Sequence, residues 1–296
     1  MNDGLKLIVA LAGGVENDHD EALDFAAELC ARHGAWARVV STYGDAAADL
    51  IAMGRSLGTR RASEAIAVIE HAEDERRTRI EAVARRAAAS RGVSFSEDED
   101  EAGDRGAPRM AMARHDYRPP AAAARATALA DLVILGQGGL DHADPRGEVL
   151  GQALLQQLTP ILIARGEPSA LTGPAAIAWD GGAQAGRAVR AALPLLAEAS
   201  EVVILQSPRG LDLMAADPDA RRLQTYLALH GIVRTSASQV DGDREGEALA
   251  AAARSRGAGL LVAGAYGRSR LREVVFGGAT RSFLADRDGP SLLLAH

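Results

Sequence analysis

Ala258-Gly259-Leu260-Leu261-Val262-Ala263-Gly264-Ala265-Tyr266-Gly267-Arg268 joins a short apolar run, Leu260 to Ala263, to two glycines. An apolar run with no polar alternation fits a strand covered on both faces of a parallel sheet, and glycine at its end permits close backbone approach where a Cβ would clash. The first half of the chain carries a counterpart, Ala130-Asp131-Leu132-Val133-Ile134-Leu135-Gly136. Downstream, Thr159-Pro160-Ile161-Leu162-Ile163-Ala164 matches Gly289-Pro290-Ser291-Leu292-Leu293-Leu294-Ala295. Upstream, Leu5 to Ala10, ending at Gly13-Gly14, matches Ala175 to Trp179, ending at Asp180-Gly181-Gly182. Helices are expected after each, from Asp18 to Arg32 and from Ala185 to Glu198, with second strands at Ala37 to Tyr43 and Glu201 to Gln206. Strand–helix alternation predicts βαβ units with right-handed crossovers, and its recurrence predicts two copies of one unit.

The expected fold class is therefore α/β, with two tandem doubly wound parallel-sheet domains of Rossmann-like topology. At 296 residues the chain is about twice a common domain of ~150 residues. Gly166-Glu167-Pro168-Ser169-Ala170-Leu171-Thr172-Gly173 has linker composition, so the domains are placed at 1–166 and 174–296 with the linker at 167–173. Extra chain in the first copy falls largely in Arg60 to Arg91, a helical stretch with Ile66, Ile69, Ile80 and Val83 on one stripe. The acidic run Glu97-Asp98-Glu99-Asp100-Glu101 after it reads as a solvated loop. Hydrophobic residues are 47% of the chain but aromatics only 3%, so the core must be built from Ala, Val, Leu and Ile.

A net charge of −7 argues against a general nucleic-acid or anionic-membrane surface, so any anion site must be local. The one cysteine, Cys30, cannot form an intramolecular disulfide and lies in an apolar run, as a structural thiol in a reducing compartment would. No apolar run approaches the ~20 residues of a membrane span, and no signal-peptide pattern opens the chain, so the cytoplasm is the expected location.

From Gly264 onward the sequence has the skeleton Gly-x2-Gly-x9-Gly, through Gly267, Gly277 and Gly278, running into a helix expected from Ala279 to Asp286. Glycines at a strand end, followed by a helix with unpaired N–H groups, suit a polyphosphate. This segment resembles the universal stress protein family, whose nucleotide-binding members carry Gly-x2-Gly-x9-Gly-(Ser/Thr) here. The likeness extends over the second copy and more weakly over the first. It implies an adenine-nucleotide α-hydrolase-like fold and ATP, or AMP, as ligand, with Mg²⁺ accompanying the phosphates. The resemblance assigns α- and β-phosphates and ribose to Gly264, Gly267 and Arg268, and terminal phosphates to Gly277, Gly278, Ala279 and Thr280. It assigns the purine to Asp180, at the end of the first strand, and to Val203 on the second. Gly278 departs from the family's Ser or Thr, a lost hydroxyl worth about 0.5–1.5 kcal/mol, for which Thr280 is the candidate substitute. The family's pairing of last strands across a two-fold axis implies that Ile161 to Ala164 meets Leu292 to Leu294 within this chain, as a pseudo-dimer.

The first copy lacks these features. Ala12 stands where Asp180 does, and Gly136-Gln137-Gly138-Gly139 keeps only the first glycine pair. Aligned back from Pro160, Gly147 matches Gly277 and Glu148 matches Gly278, and a glutamate pointing into a phosphate site would repel the ligand. The first copy reads as a degenerate partner domain.

Asp18-His19-Asp20-Glu21 is explained by capping and the helix dipole rather than by metal. His33, His71, His115, His142, His230 and His296 show no ligand spacing. Arg76-Arg77-Thr78-Arg79 and Arg85-Arg86 alternate with Glu73, Asp74, Glu75 and Glu81 as on a salt-bridged solvated face. No Gly-x-Ser-x-Gly elbow or Gly-x4-Gly-Lys-Ser/Thr loop occurs, and no nucleophile, general base or metal-ligand set can be assembled. The expected function is a nucleotide-binding stress or signalling module acting through occupancy, with at most slow incidental ATP hydrolysis. A nucleotide-free interaction module of the same fold is the alternative. A homodimer of the whole chain and a protein partner of unstated identity complete the partner expectations.

Overall fold

The computed structural model describes residues 4–13, 20–41, 59–97, 107–113, 120–140, 145–208, 218–265 and 278–296. Gly14, Asp18, His19, Tyr43, Asp98 to Glu101, His115, His142, Gly267, Arg268, Gly277 and the side chain of Ile66 lie outside the described residues.

The strands of the first half are β1 (Leu7–Ala12), β2 (Trp36–Ser41), β3 (Ser94–Ser96), β4 (Arg109–Met112), β5 (Leu132–Gly136) and β6 (Ile161–Ala164). Those of the second are β7 (Ala175–Ala178), β8 (Val202–Gln206), β9 (Thr235–Gln239), β10 (Leu260–Gly264) and β11 (Ser291–Ala295). Among the described residues they form one sheet in the order β3-β4-β2-β1-β5-β6-β11-β10-β7-β8-β9. With β3 set aside as an addition at the outer edge, each half shows the same doubly wound order, β4-β2-β1-β5-β6 and β9-β8-β7-β10-β11. Every neighbouring pair is parallel except β6 and β11.

Those two strands form the antiparallel seam implied for the last strands, with Ile161 opposite Leu294, Leu162 opposite Leu293 and Ile163 opposite Leu292. All six side chains are fully buried. At the seam's end Arg165 is buried and crosses from one half to the other. Its Nη1 donates to Pro290 O (3.0 Å), its Nη2 to Phe283 O (2.9 Å) and its Nε to Gln137 Oε1 (2.6 Å). Burial lowers its pKa to about 10, against the pull of Asp286 and Glu21, so it remains a cation at neutral pH. The Ser291 hydroxyl accepts from Arg165 N (3.2 Å) and donates to Arg165 O (3.1 Å), completing the strand end.

Helices cover both faces, which is why the strands are apolar without alternation. One face is packed by α1 (Glu21–His33), α2 (Thr59–Ser90), α5 (Ala183–Leu196) and α6 (Ala220–Leu229), against Ile8, Ala10, Ile134, Ile177, Ile204 and Val262. The other is packed by α3 (Pro120–Ala126), α4 (Pro145–Gln152), α7 (Glu245–Ser255) and α8 (Gly278–Ala285), against Val9, Leu11, Val133, Val203, Leu205 and Leu261. Burying each Leu, Ile or Phe contributes about 1.5–3 kcal/mol, so small helices suffice where Ala keeps the layers close. Helix α1 starts because the Asp20 carboxylate accepts from Ala22 N (2.9 Å), and it stops at Gly34, whose φ of 63° is left-handed. In α2, Ile80 and Val83 are buried and Ile69 half-buried, while Arg85 pairs with Glu81 (2.8 Å) and Glu97 (2.7 Å) on the exposed side.

The segment expected as a linker is a packed turn: Pro168–Thr172 is 3₁₀, and Pro168 and Leu171 are buried. Gly259, at the start of β10, abuts the Ala170 carbonyl so closely that a side chain there would collide with backbone.

Candidate functional site

Strands β7 and β10 lie side by side, with Ala263 opposite Ala178. After β7 the chain crosses toward β8, and after β10 toward β11, on opposite sides of the pair. Ligands of open α/β sheets bind at such a switch point, beyond the carboxyl ends of the strands. Because β7 and β8 are parallel, the helix between them must start at the carboxyl edge, as must α8 between β10 and β11. Two helix N-termini therefore open on one rim, each with N–H groups that have no intrahelical partner.

The close approach at this rim needs Gly264. A Cβ there would stand 2.6 Å from Ala185 N and 2.8 Å from the Gln184 carbonyl carbon. Glycine is thus fixed at 264 by helix packing, and Gly136 occupies the same niche in the first half, where a Cβ would stand 3.0 Å from Glu21 Oε2. Asp180 is half-buried, and its Oδ1 accepts from Gly182 N (2.8 Å), forming the turn that starts α5. Its other oxygen makes no hydrogen bond among the described residues.

Helix α8 begins at Gly278, which is exposed and where a Cβ would meet no heavy atom within 4 Å. Ala279 is half-buried and held by α7: a Cβ on Gly246 would stand 2.6 Å from Ala279 Cα, so the two helices cross almost backbone to backbone. Thr280 is buried. Gly264, Asp180, Gly278 and Ala279 thus belong to the rim. Val203 does not. It pairs with Ala176, on the amino-terminal side of Leu205 and Gln206, and is buried in the core beneath α7. The residue at the rim of β8 is Ser207, buried directly after the strand, a position that sequence reading passed over. No cluster of His, Cys, Asp or Glu able to hold a metal lies among the described residues.

At the equivalent rim of the first half the residue found among the described ones is not the one expected. Glu148 is exposed and accepts from Gln152 Nε2 (2.9 Å) along its own helix, so it does not point into the cleft. Arg146 does: it is 3% exposed, with Nε 3.3 Å from where a Cβ on Gly13 would stand and Nη2 4.0 Å from one on Gly138. Beside it Asp20 is buried, and desolvation raises its pKa while the Arg146 charge and the N–H groups of Gly13, Ala22 and Leu23 oppose that rise. Glu21 Oε2 accepts from Gln137 N (2.9 Å) at the end of β5, whereas in the second half the N–H that follows β10, that of Ala265, donates to Ala295 O (2.8 Å). The Arg146–Asp20 pair is a charged plug. A sequence gives no warning of it, since arginine at a helix start is ordinarily solvated.

No protein-family model matches the sequence, and no curated protein does. Solved structures do match in fold. A universal stress protein from Archaeoglobus fulgidus DSM 4304 superposes with a TM-score of 0.68 at 12% identity, covering 99% of this chain and 98% of that one. A protein described as a universal stress protein from Pseudomonas aeruginosa UCBPP-PA14 gives 0.55 at 12% identity, covering 99% and 94%. A functionally unknown protein from Pseudomonas aeruginosa PAO1 gives 0.55 at 13% identity, covering 99% and 93%. The chain has the universal stress protein fold along its whole described length.

Proposed function

We propose that the second half, within a domain spanning 174–296, binds an adenine nucleotide, ATP with Mg²⁺, at the β7–β10 switch point, and that the protein acts in a stress or signalling response through occupancy of that site. The observation that carries this reading is the open start of α8. Among the described residues no heavy atom stands within 4 Å of a Cβ added at Gly278, a helix dipole lies behind it, and Gly246 fixes the adjacent turn, so N–H donors of Gly278, Ala279 and Thr280 are available to phosphate oxygens. Mg²⁺ would arrive with the phosphates, as no side-chain cluster among the described residues would hold it alone. In the first half, domain 1–166, the Arg146–Asp20 plug leaves a partner without a nucleotide.

The test is to denature freshly purified protein, identify released nucleotide by ion-exchange chromatography, and titrate stripped protein with Mg-ATP by calorimetry. One equivalent per chain supports the reading. Two equivalents would show that the plug opens, and no binding at millimolar Mg-ATP would leave the interaction-module alternative.

A further inference from the structure

Helix α8 spans eight residues, about 12 Å, and helices shorter than about 12–15 residues are marginal alone, so its order comes from what packs on it. Near its start α7 supplies this, with Gly246 against Ala279 and Ser282. At its far end the supports come from the first half of the chain. A helix leaves its last carbonyls without intrahelical donors. Here Phe283 O accepts from Arg165 Nη2 (2.9 Å) and Leu284 O from Gln137 Nε2 (3.2 Å), across 118 and 147 positions of sequence. Gln137 Oε1 accepts from Arg165 Nε (2.6 Å), and Gln137 N donates to Glu21 Oε2 (2.9 Å) in the first turn of α1. Glu21, Gln137, Arg165 and the end of α8 are thus joined by consecutive hydrogen bonds. The buried guanidinium also complements the negative end of the α8 dipole, whose positive end lies at Gly278.

The matching segment of the first half, α4 and the π-helical turn Ala153–Gln157 after it, is finished locally instead. Leu158 caps it at φ 55°, its N–H donating to Ala153 O, and among the described residues no side chain of the second half bonds to Ala153–Leu158. The cross-half support therefore falls on the helix that carries the candidate phosphate site, in the half without the Arg146–Asp20 pair. With glycine at 278, phosphate contacts at the helix start rest on backbone N–H groups, which need donor–acceptor distances of about 2.7–3.2 Å. A shift of α8 along or about its axis takes them out of range.

Resting on the nucleotide reading above, we propose that Gln137 and Arg165 are positioning residues through which the first half sets the nucleotide affinity of the second, by holding α8 at the end remote from phosphate.

The test takes two variants of the full chain. Gln137→Met keeps the side-chain volume and removes both side-chain hydrogen bonds, while Arg165 retains Phe283 and Pro290. Gln137→Glu keeps the acceptor for Arg165 and sets a carboxylate against Leu284 O. Gln152→Met, which removes a first-half amide bonded only along its own helix to Glu148, is the control. Calorimetric titration with Mg-ATP is expected to give a Kd raised about fivefold or more in both Gln137 variants and unchanged in the control. Amide hydrogen exchange of the nucleotide-free chains should quicken at α8 in the Gln137 variants and not across the rest of the sheet, a local change that a general loss of stability does not produce. An unaltered Kd in the Gln137 variants, an equal rise in Gln152→Met, or faster exchange spread over both halves would each overturn the proposal. If Gln137→Met fails to fold, Gln137→Glu decides against the same control. A natural chain that binds no Mg-ATP removes both the nucleotide site and this proposal, whereas binding unaffected by the Gln137 variants removes the proposal alone.

Discussion

Replacing Gly278 by Ser is expected to tighten Mg-ATP binding. The position accepts a side chain, since an added Cβ meets nothing within 4 Å and the residue is exposed. Its carbonyl already accepts from Ser282 Oγ (3.1 Å), which holds the first turn of α8 in place while the new hydroxyl faces outward. One hydroxyl–phosphate hydrogen bond is worth about 0.5–1.5 kcal/mol, which at 1.4 kcal/mol per decade lowers Kd roughly 2- to 12-fold. Serine also starts a helix well, so thermal stability should hold or rise slightly. Calorimetric titration of the natural chain, Gly278→Ser and Gly278→Ala with Mg-ATP reads the effect, the alanine variant separating hydroxyl from backbone stiffening. If Gly278→Ser folds normally and its Kd is unchanged or raised, the start of α8 does not face phosphate and the site assignment is wrong. If alanine tightens binding as much as serine, the gain comes from helix order instead.

Gly264→Ala, by contrast, should cost about 1–3 kcal/mol in urea unfolding, because its Cβ meets the backbone of Gln184 and Ala185; an unaltered midpoint would refute that packing. Arg165→Met should lose about 1–3 kcal/mol by the same assay, since the carbonyls of Phe283 and Pro290 and the Gln137 amide oxygen are left without their donor. Burial, then the positive charges of Arg32 and Lys6, hold His33 below its ordinary value of 6.5, although Glu198 faces it at 3.8 Å. The unfolded chain therefore takes up a proton before the folded one, so stability should be level above pH 6.5 and fall as pH drops below it, and His33→Gln should flatten that fall. Burial pushes the Cys30 thiol up to about 12, so a thiol reagent should react at neutral pH only after denaturant is added.

The repeat was legible because apolar strands buried on both faces leave unbroken runs, and because Gly136 and Gly264 are each required by a helix packed against them. The pairing of β6 with β11 could be anticipated from the repeat and the family likeness together. Strand limits were less readable: β1 begins at Leu7 rather than Leu5, since Leu5 is buried without joining the ladder. Strands β3, β4 and β9 escaped notice because they are short or outermost, and β9 is largely exposed and polar. The height of Val203 along the sheet was not legible, because an apolar residue on a strand does not disclose it and only the register with Ala176 fixes it. Arg146 and Arg165 were unreadable for a shared reason. Charged residues are read as solvated, and their burial depends on partners far away in sequence, Asp20 for one and Phe283, Pro290 and Gln137 for the other.

The arginine at the seam also bears on what joining two copies in one chain allows. An assembly of two identical chains about a two-fold axis must repeat every residue it buries there, so a cation at one end of the seam implies its twin at the other. Each buried ion carries a desolvation penalty of several kcal/mol, and the twin would need its own set of acceptors. Counted from Pro160 and Pro290, the counterpart of Arg165 is Ala295, a small buried residue with no charge to satisfy. The single chain holds one guanidinium where a symmetric pair would have to hold two, and the hold it provides runs from the first half onto α8 with no mirror image in the other direction.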